Sequence, residues 1–325
     1  MRFLLVATFL ISSFFAVAKD KTDRAGSPHK SVGVLMDTVK NRTKPYKWDP
    51  LLFNDKGWLI GGYSVDGMPL LYWVCGDINA KNRSLVLSAV HGDEITPVYF
   101  GFRLVEWVKA RPNLCKDKLI VIAPLVNPDG FLRYQRGTRT NFNKVDLNRN
   151  FPTPEWNQNA HKIWKEKYSS RRRYYPGDKA GDQPENTFQR WLINEFKITK
   201  ILSIHAPLNI LDYDGPISEE VNNDNFAKTY FDSCYILKEN MKRATSKLRF
   251  FAYGTFPGSL GNYAGKILGI PTLTVELPTT DASKAMQYFA DMEKSHQIFF
   301  DFAVEERPNY LKERASATAS EVMNN

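Results

Sequence analysis

Two apolar runs rich in Val, Leu and Ile, residues 84–91 and 118–126, flank a segment, Ile95–Lys109, in which Val98, Phe102, Val105 and Val108 recur at helical spacing. Strand, helix and strand in that order form a βαβ unit, and such continuous apolar strands fit a sheet covered on both faces. The alternation returns later: residues 186–196 read as helix, 198–205 as strand, 259–268 as helix, 271–277 as strand and 283–304 as a long amphipathic helix. Ahead of the βαβ unit, strand-like runs at 58–65 and 70–75 bracket Asp66-Gly67, a hairpin signature. No Pro/Gly/Ser-rich linker interrupts residues 50–305, so the pattern predicts one α/β domain. Residues 19–50 read as an exposed basic arm and 306–325 as a polar, disordered tail.

The N-terminus carries a different signal. Met1-Arg2 precedes an apolar and hydroxyl run to Phe15, and Ala16-Val17-Ala18 closes it before Lys19. A basic start, a short apolar stretch and an A-x-A end predict a secretory signal peptide, residues 1–18, cut after Ala18. The run is too short to span a bilayer as an anchor, and no later segment is long and apolar enough to do so. The expected location is therefore outside the cytoplasm, most readily the periplasm. Removing residues 1–18 takes one Arg and no acid, so the mature chain keeps +8 of the formal +9. Its densest basic pieces are Lys40-Asn41-Arg42-Thr43-Lys44 and Arg171-Arg172-Arg173. Export argues against nucleic acid as the partner, and an anionic envelope polymer is the alternative to a merely solvated face. Three cysteines are too few for a disulfide scaffold, and Cys75 with Cys115 is the candidate bridge.

Chemistry concentrates at strand ends. His91 and Glu94 stand three residues apart where a strand gives way to a helix, so an imidazole and a carboxylate can meet at one metal ion. His205 ends another apolar run and would complete the three protein ligands of a catalytic zinc. The alternative for each His is a core imidazole bonded to a carbonyl. The remaining three, His29, His161 and His296, lie in polar surroundings and look unremarkable. Glu276 is a lone acid near the end of the apolar run 272–277, costly to bury without a role or an ion-pair partner.

Between these sites lie Asn127-Pro128-Asp129-Gly130, Thr138-Arg139-Thr140-Asn141 and Val145-Asp146-Leu147-Asn148-Arg149-Asn150-Phe151-Pro152. Together with H-x-x-E, a strand-terminal His and a late Glu, in that order, they resemble the zinc carboxypeptidase (funnelin) family. Within it the chain looks most like the bacterial murein peptide amidase branch, on Ser203-Ile204-His205-Ala206-Pro207-Leu208 and the loop from Phe256 to Gly265. The resemblance implies a three-layer α/β/α single domain, residues 51–305, around a mixed, mostly parallel eight-stranded sheet. It also implies one zinc ion per chain held by His91, Glu94 and His205. Glu276 would be the general base and then acid, Arg139 would stabilise the oxyanion, and Asn148 and Arg149 would bind a substrate carboxylate. Asp146 would brace this turn or a ligand His. Tyr253 falls near the family's substrate-capping tyrosine. Leu260-Gly261 falls at the side-chain pocket, which then lacks the acid that Lys- and Arg-specific digestive members use. The implied substrates are peptidoglycan stem peptides, cut at the γ-D-glutamyl–meso-diaminopimelate amide. The alternatives are release of a C-terminal residue from stem peptides or proteins, or a zinc-bearing wall-binding protein that has lost catalysis.

Overall fold

The computed structural model describes residues 28–217, 225–245, 248–251, 254–309 and 312–313; the proposed signal peptide and Tyr253 lie outside them. Eight strands form one sheet: β1 (Leu59–Tyr63), β2 (Pro69–Gly76), β3 (Asn82–Ser88), β4 (Lys118–Ala123), β5 (Lys200–His205), β6 (Ile210–Asp214), β7 (Arg249–Phe250) and β8 (Thr272–Glu276). Their order is β1-β2-β4-β3-β5-β8-β6-β7. The central β4-β3-β5-β8 run is parallel, β2 and β6 join its two sides antiparallel, and β1–β2 is the hairpin that Asp66-Gly67 signals.

Strand geometry sends successive side chains to opposite faces. Along β4, Ile120 and Ile122 enter one core cluster, while Leu119, Val121 and Ala123 enter the other. The first cluster lies under α2 (Ile95–Lys109) and α7 (Ala285–Asp301), the second under α5 (Pro184–Glu195) and the wider, π-type helix Gly261–Ile267. This is the expected three-layer α/β/α arrangement around a mixed sheet. Further helices are α1 (Val32–Thr43), α3 (Pro128–Leu132), α4 (Trp156–Glu166) and α6 (Asn225–Ala244). Among the described residues no helix is long and apolar enough to cross a membrane.

Three readings need correction. The arm at 19–50 is not an exposed segment throughout from Ser31 onward. Ser31 caps α1 by accepting from Val34 N at 3.2 Å, and Leu35, Met36 and Val39 are buried in the first cluster. Their i, i+1, i+4 spacing makes a narrow buried apolar stripe on a short helix, which a composition reading averages away. The start of the C-terminal tail is also tied down: Glu305 N donates to Ser233 Oγ at 3.3 Å and the Arg307 guanidinium donates to Leu268 O, while residues 310–311 and 314–325 lie outside the described residues. His296 is fully buried against the rings of Phe100, Trp107 and Phe289, not on a polar face. Cys75 and Cys115 are bonded, linking the end of β2 to the turn before β4, and Cys234 is a buried free thiol.

Candidate active site

Three strands deliver their chemistry at the same edge of the sheet. The chain leaves β3 for His91 and Glu94, β5 ends on His205, and β8 ends on Glu276, which pairs in register with His205. All these strands run parallel, so their carboxyl ends open on one crevice, where α/β folds build sites. The turn that carries His91 is held backbone to backbone. A Cβ on Gly92 would come within 2.0 Å of the Gly130 carbonyl carbon, and one on Gly130 within 2.6 Å of Thr140 O. Asn127 completes the splint: its side chain accepts from Gly130 N and donates to Val90 O at 3.1 Å and Arg139 O at 3.3 Å. Asp129 accepts from Ser64 Oγ at 2.6 Å and Asp66 N at 2.9 Å, locking the β1–β2 turn. The Asn127-to-Gly130 motif is thus scaffolding that positions His91 and Arg139.

His91 Nδ1 lies 2.7 Å from Glu94 Oε1, His205 Nδ1 2.9 Å from Glu94 Oε2, and the two imidazole nitrogens are 3.1 Å apart. All three side chains are buried. Two imidazole nitrogens at that separation face one point with a carboxylate, a donor set suited to a tetrahedral cation with bonds of about 2.0–2.1 Å. His91 turns its Nε2 to Asp146 Oδ1 at 3.2 Å, which leaves the Nδ1 lone pair for a metal. Asp146 also accepts from Asn148 N at 3.0 Å and from Arg139 Nε at 2.7 Å. Burial works against its ionisation, but Arg139 and His91 prevail and hold it well below the usual carboxylate range. Asp146 therefore braces both the turn and the ligand His. Arg139 Nη1 reaches 3.6 Å from Glu94 Oε1, so the guanidinium borders the ligand cluster.

His91, Glu94, His205 and Arg139 line a cavity of about 440 Å³, joined there by Glu276, Asn148, Arg149 and Leu260. Burial raises the Glu276 carboxyl above its ordinary value, and Oε2 has no hydrogen-bond partner. Asn148 Oδ1 accepts from Leu260 N at 2.8 Å, which leaves its amide hydrogens for the cavity. The Arg149 guanidinium lies 4.5 Å from the Phe256 ring centroid and 5.8 Å from that of Tyr168. It donates to Asn148 O at 2.6 Å, while its buried Nε has no partner.

Sequence reasoning missed the floor. Ser203, Thr274 and Asp212 stand abreast across β5, β8 and β6 on the face of the second core cluster, and Asp214 follows Asp212 by two. All four line the cavity, and buried Ser203 Oγ has no partner. Asp214 Oδ2 would lie 2.0 Å from a Cβ on Gly261. The pocket at Leu260-Gly261 is therefore acidic after all, with the carboxylate supplied from β6. Burial, and after it Asp212, pushes Asp214 up to about 7. The signal was present: acids two apart in a strand point to the same face.

A model of the zinc carboxypeptidase family matches residues 59–305, three quarters of the chain and every residue of the cavity described above. The chain belongs to the zinc carboxypeptidase family. It is 30% identical over 231 residues to murein peptide amidase A of Escherichia coli (strain K12), covering 70% of this chain and 84% of that protein. It is 28% identical over 232 residues to murein peptide amidase A of Vibrio campbellii, covering 71% and 83%. Among solved structures, bovine thrombin-activatable fibrinolysis inhibitor superposes with a TM-score of 0.60 at 19% identity over 85% of this chain and 97% of that one. Carboxypeptidase A from Helicoverpa armigera gives 0.57 at 16% identity over 90% and 75%. These likenesses bear out the fold, and membership of the zinc carboxypeptidases makes the chain a zinc metallopeptidase whose family's metal fits the His91, Glu94 and His205 cluster.

Proposed function

We propose that this zinc carboxypeptidase is a peptidoglycan amidase that hydrolyses the γ-D-glutamyl–meso-diaminopimelate bond of stem peptides outside the cytoplasm. The observation that carries the reading is the pairing of Arg149 and Asn148 on one side of the cavity with Asp212 and Asp214 on its floor. A residue seated there needs a carboxylate next to the scissile amide and a cationic group on its side chain. Diaminopimelate supplies both, because its side chain ends in an ammonium-bearing centre. The two murein peptide amidases, matched over more than four fifths of their length, point the same way, and so does the signal-peptide pattern at residues 1–18.

In this reading His91, Glu94 and His205 would hold one zinc ion, which would supply Lewis acidity toward the attacking water and the scissile carbonyl. Glu276 accepts the water's proton at its carboxylate and returns it to the departing amine; its raised affinity for protons suits both halves of that task. Arg139, fixed through Nε by Asp146, presents its remaining N–H groups to the oxyanion. Arg149 and Asn148 bind the carboxylate of the amine-side residue, the guanidinium matching it in a planar, two-point fashion. Leu260 positions Asn148 through its backbone N–H and walls the pocket.

The test is to incubate purified protein with tri- and tetrapeptide muropeptides and weigh the products. Release of diaminopimelate from the tripeptide is expected, and slower or no release from the tetrapeptide, whose adjacent carboxyl is blocked by D-alanine. Release of D-alanine alone would make the protein a carboxypeptidase, and no cleavage of either stem would overturn the assignment.

A further inference from the structure

A second cavity, of about 360 Å³, opens beside the first, and Arg139 and Arg173 line both. Its other charged side chains are Arg133, Lys144, Arg172 and Asp93, so five cations face one carboxylate. That carboxylate is already paired with Arg173, and Arg139 is committed to Asp146. Arg133 donates to Phe142 O at 3.1 Å and lies over the Phe142 ring, and Arg172 lies 4.6 Å from the Tyr175 centroid. Among the described residues Arg133, Lys144 and Arg172 have no acidic partner within ion-pair distance. Like charges gathered this closely repel one another unless an anion joins them. Arg172 and Arg173 belong to the Arg171-Arg172-Arg173 run that the catalytic constellation leaves unexplained.

The position of this cavity gives it a meaning. Arg149 marks the amine side of the scissile bond in the first cavity, the His91-Glu94-His205 cluster marks the bond itself, and the shared Arg139–Arg173 border leads on to the second cavity. We propose that the cationic cavity is a subsite for an anionic group on the acyl side of the scissile amide, which for a γ-linked glutamyl residue is its free α-carboxylate. The proposal rests on the amidase reading and deepens it. In a γ-linked glutamyl residue that carboxylate stands at the end of a short aliphatic spacer from the scissile carbonyl, so the subsite reads the charge beside the bond.

The experiment compares two synthetic tripeptides, one with D-glutamate and one with its α-carboxamide, in otherwise identical stems. With wild-type protein the carboxamide should show a KM about three- to tenfold higher at similar kcat, the range expected of partly exposed charge pairs acting together. The gap should narrow at high salt, which screens such contacts. The double variant Lys144→Gln, Arg172→Gln, altered at two exposed side chains, should treat the two peptides alike. Calorimetric binding of both peptides to Glu276→Gln protein reads the same preference without turnover. Equal affinity of that protein for the two peptides would overturn the subsite even if both are cleaved. Binding that prefers the carboxylate, with no cleavage of either peptide by the wild type, would retain the subsite and overturn the amidase reading. Absence of binding would overturn both.

Discussion

Glu276 and Asp214 are both half-buried carboxylates on the cavity face of the sheet, yet the geometry separates their tasks. Glu276 stands level with His205 and beside the ligand cluster, where its unpartnered Oε2 can receive a proton. Replacing it, Glu276→Gln, should leave zinc content at the wild-type level and lower kcat by about 10²- to 10⁴-fold, the worth of a positioned acid–base group. Undiminished turnover would remove it from the mechanism. Asp214 lies deeper, against Gly261. Asp214→Asn should raise KM for a diaminopimelate-containing peptide about tenfold or more, since a charged hydrogen bond is lost. Thermal unfolding should be unchanged or shifted upward, because a carboxyl whose ionisation its surroundings oppose is replaced by a neutral amide. A variant with unchanged KM would show that the floor does not read the substrate's ammonium. Glu276 and the three candidate ligands were legible in the sequence because each closes or follows an apolar run, where a polar residue is conspicuous. Asp212 and Asp214 were not, because a short strand with alternating acids looks like any half-exposed edge until its neighbours Ser203 and Thr274 are aligned beside it.

At the scale of elements, the strands from β1 to β5, together with β8, and helices α2, α5 and α7 fall close to where hydrophobic periodicity put them, since each is long and strongly patterned. Helix α1 was hidden because three buried apolar residues in a basic N-terminal segment do not shift local composition, although Arg42 of that helix donates to Tyr134 O at 2.8 Å and Gln135 O at 3.0 Å. The loop carrying His91 and Glu94 depends on contacts that no single-residue reading reveals. Gly92 lets two backbones touch, and Gly137, at φ +70°, comes against Gly92 from the other side. Gly92→Ala should therefore destabilise the fold by about 1–3 kcal/mol and reduce zinc content, because the backbone it meets cannot swing aside. Normal metal content and stability in that variant would mean that the loop is more adaptable than its packing implies.

Across the whole molecule, the interior holds ionisable groups that the sequence places among polar neighbours. His296 is surrounded by rings with no partner for either nitrogen, and burial pushes it down to about 4. Its proton affinity is lower in the folded than in the unfolded chain, so folding loses stability as pH falls from about 6.5 toward 4. His296→Leu should stabilise the protein by on the order of 1–2 kcal/mol more at pH 5 than at pH 8, read from denaturant midpoints at the two pH values. An equal effect at both would show that the imidazole does not resist protonation. The formal +9 also acquires an address: Arg139, Arg149 and the cations of the second cavity collect along the two adjoining cavities, while Lys40 and Lys44 stay on the exposed side of α1 and the turn after it.

His91, Glu94 and His205 turn two buried imidazole nitrogens 3.1 Å apart and one carboxylate toward a single point, a donor set that fits one zinc ion. Native mass spectrometry of the purified protein, read beside elemental analysis, tests it most directly. The wild type and Glu276→Gln should each carry one zinc per chain, and His205→Ala should carry little or none. A wild type without zinc, or a His205→Ala protein that keeps its full complement, would contradict the site on which the reading rests.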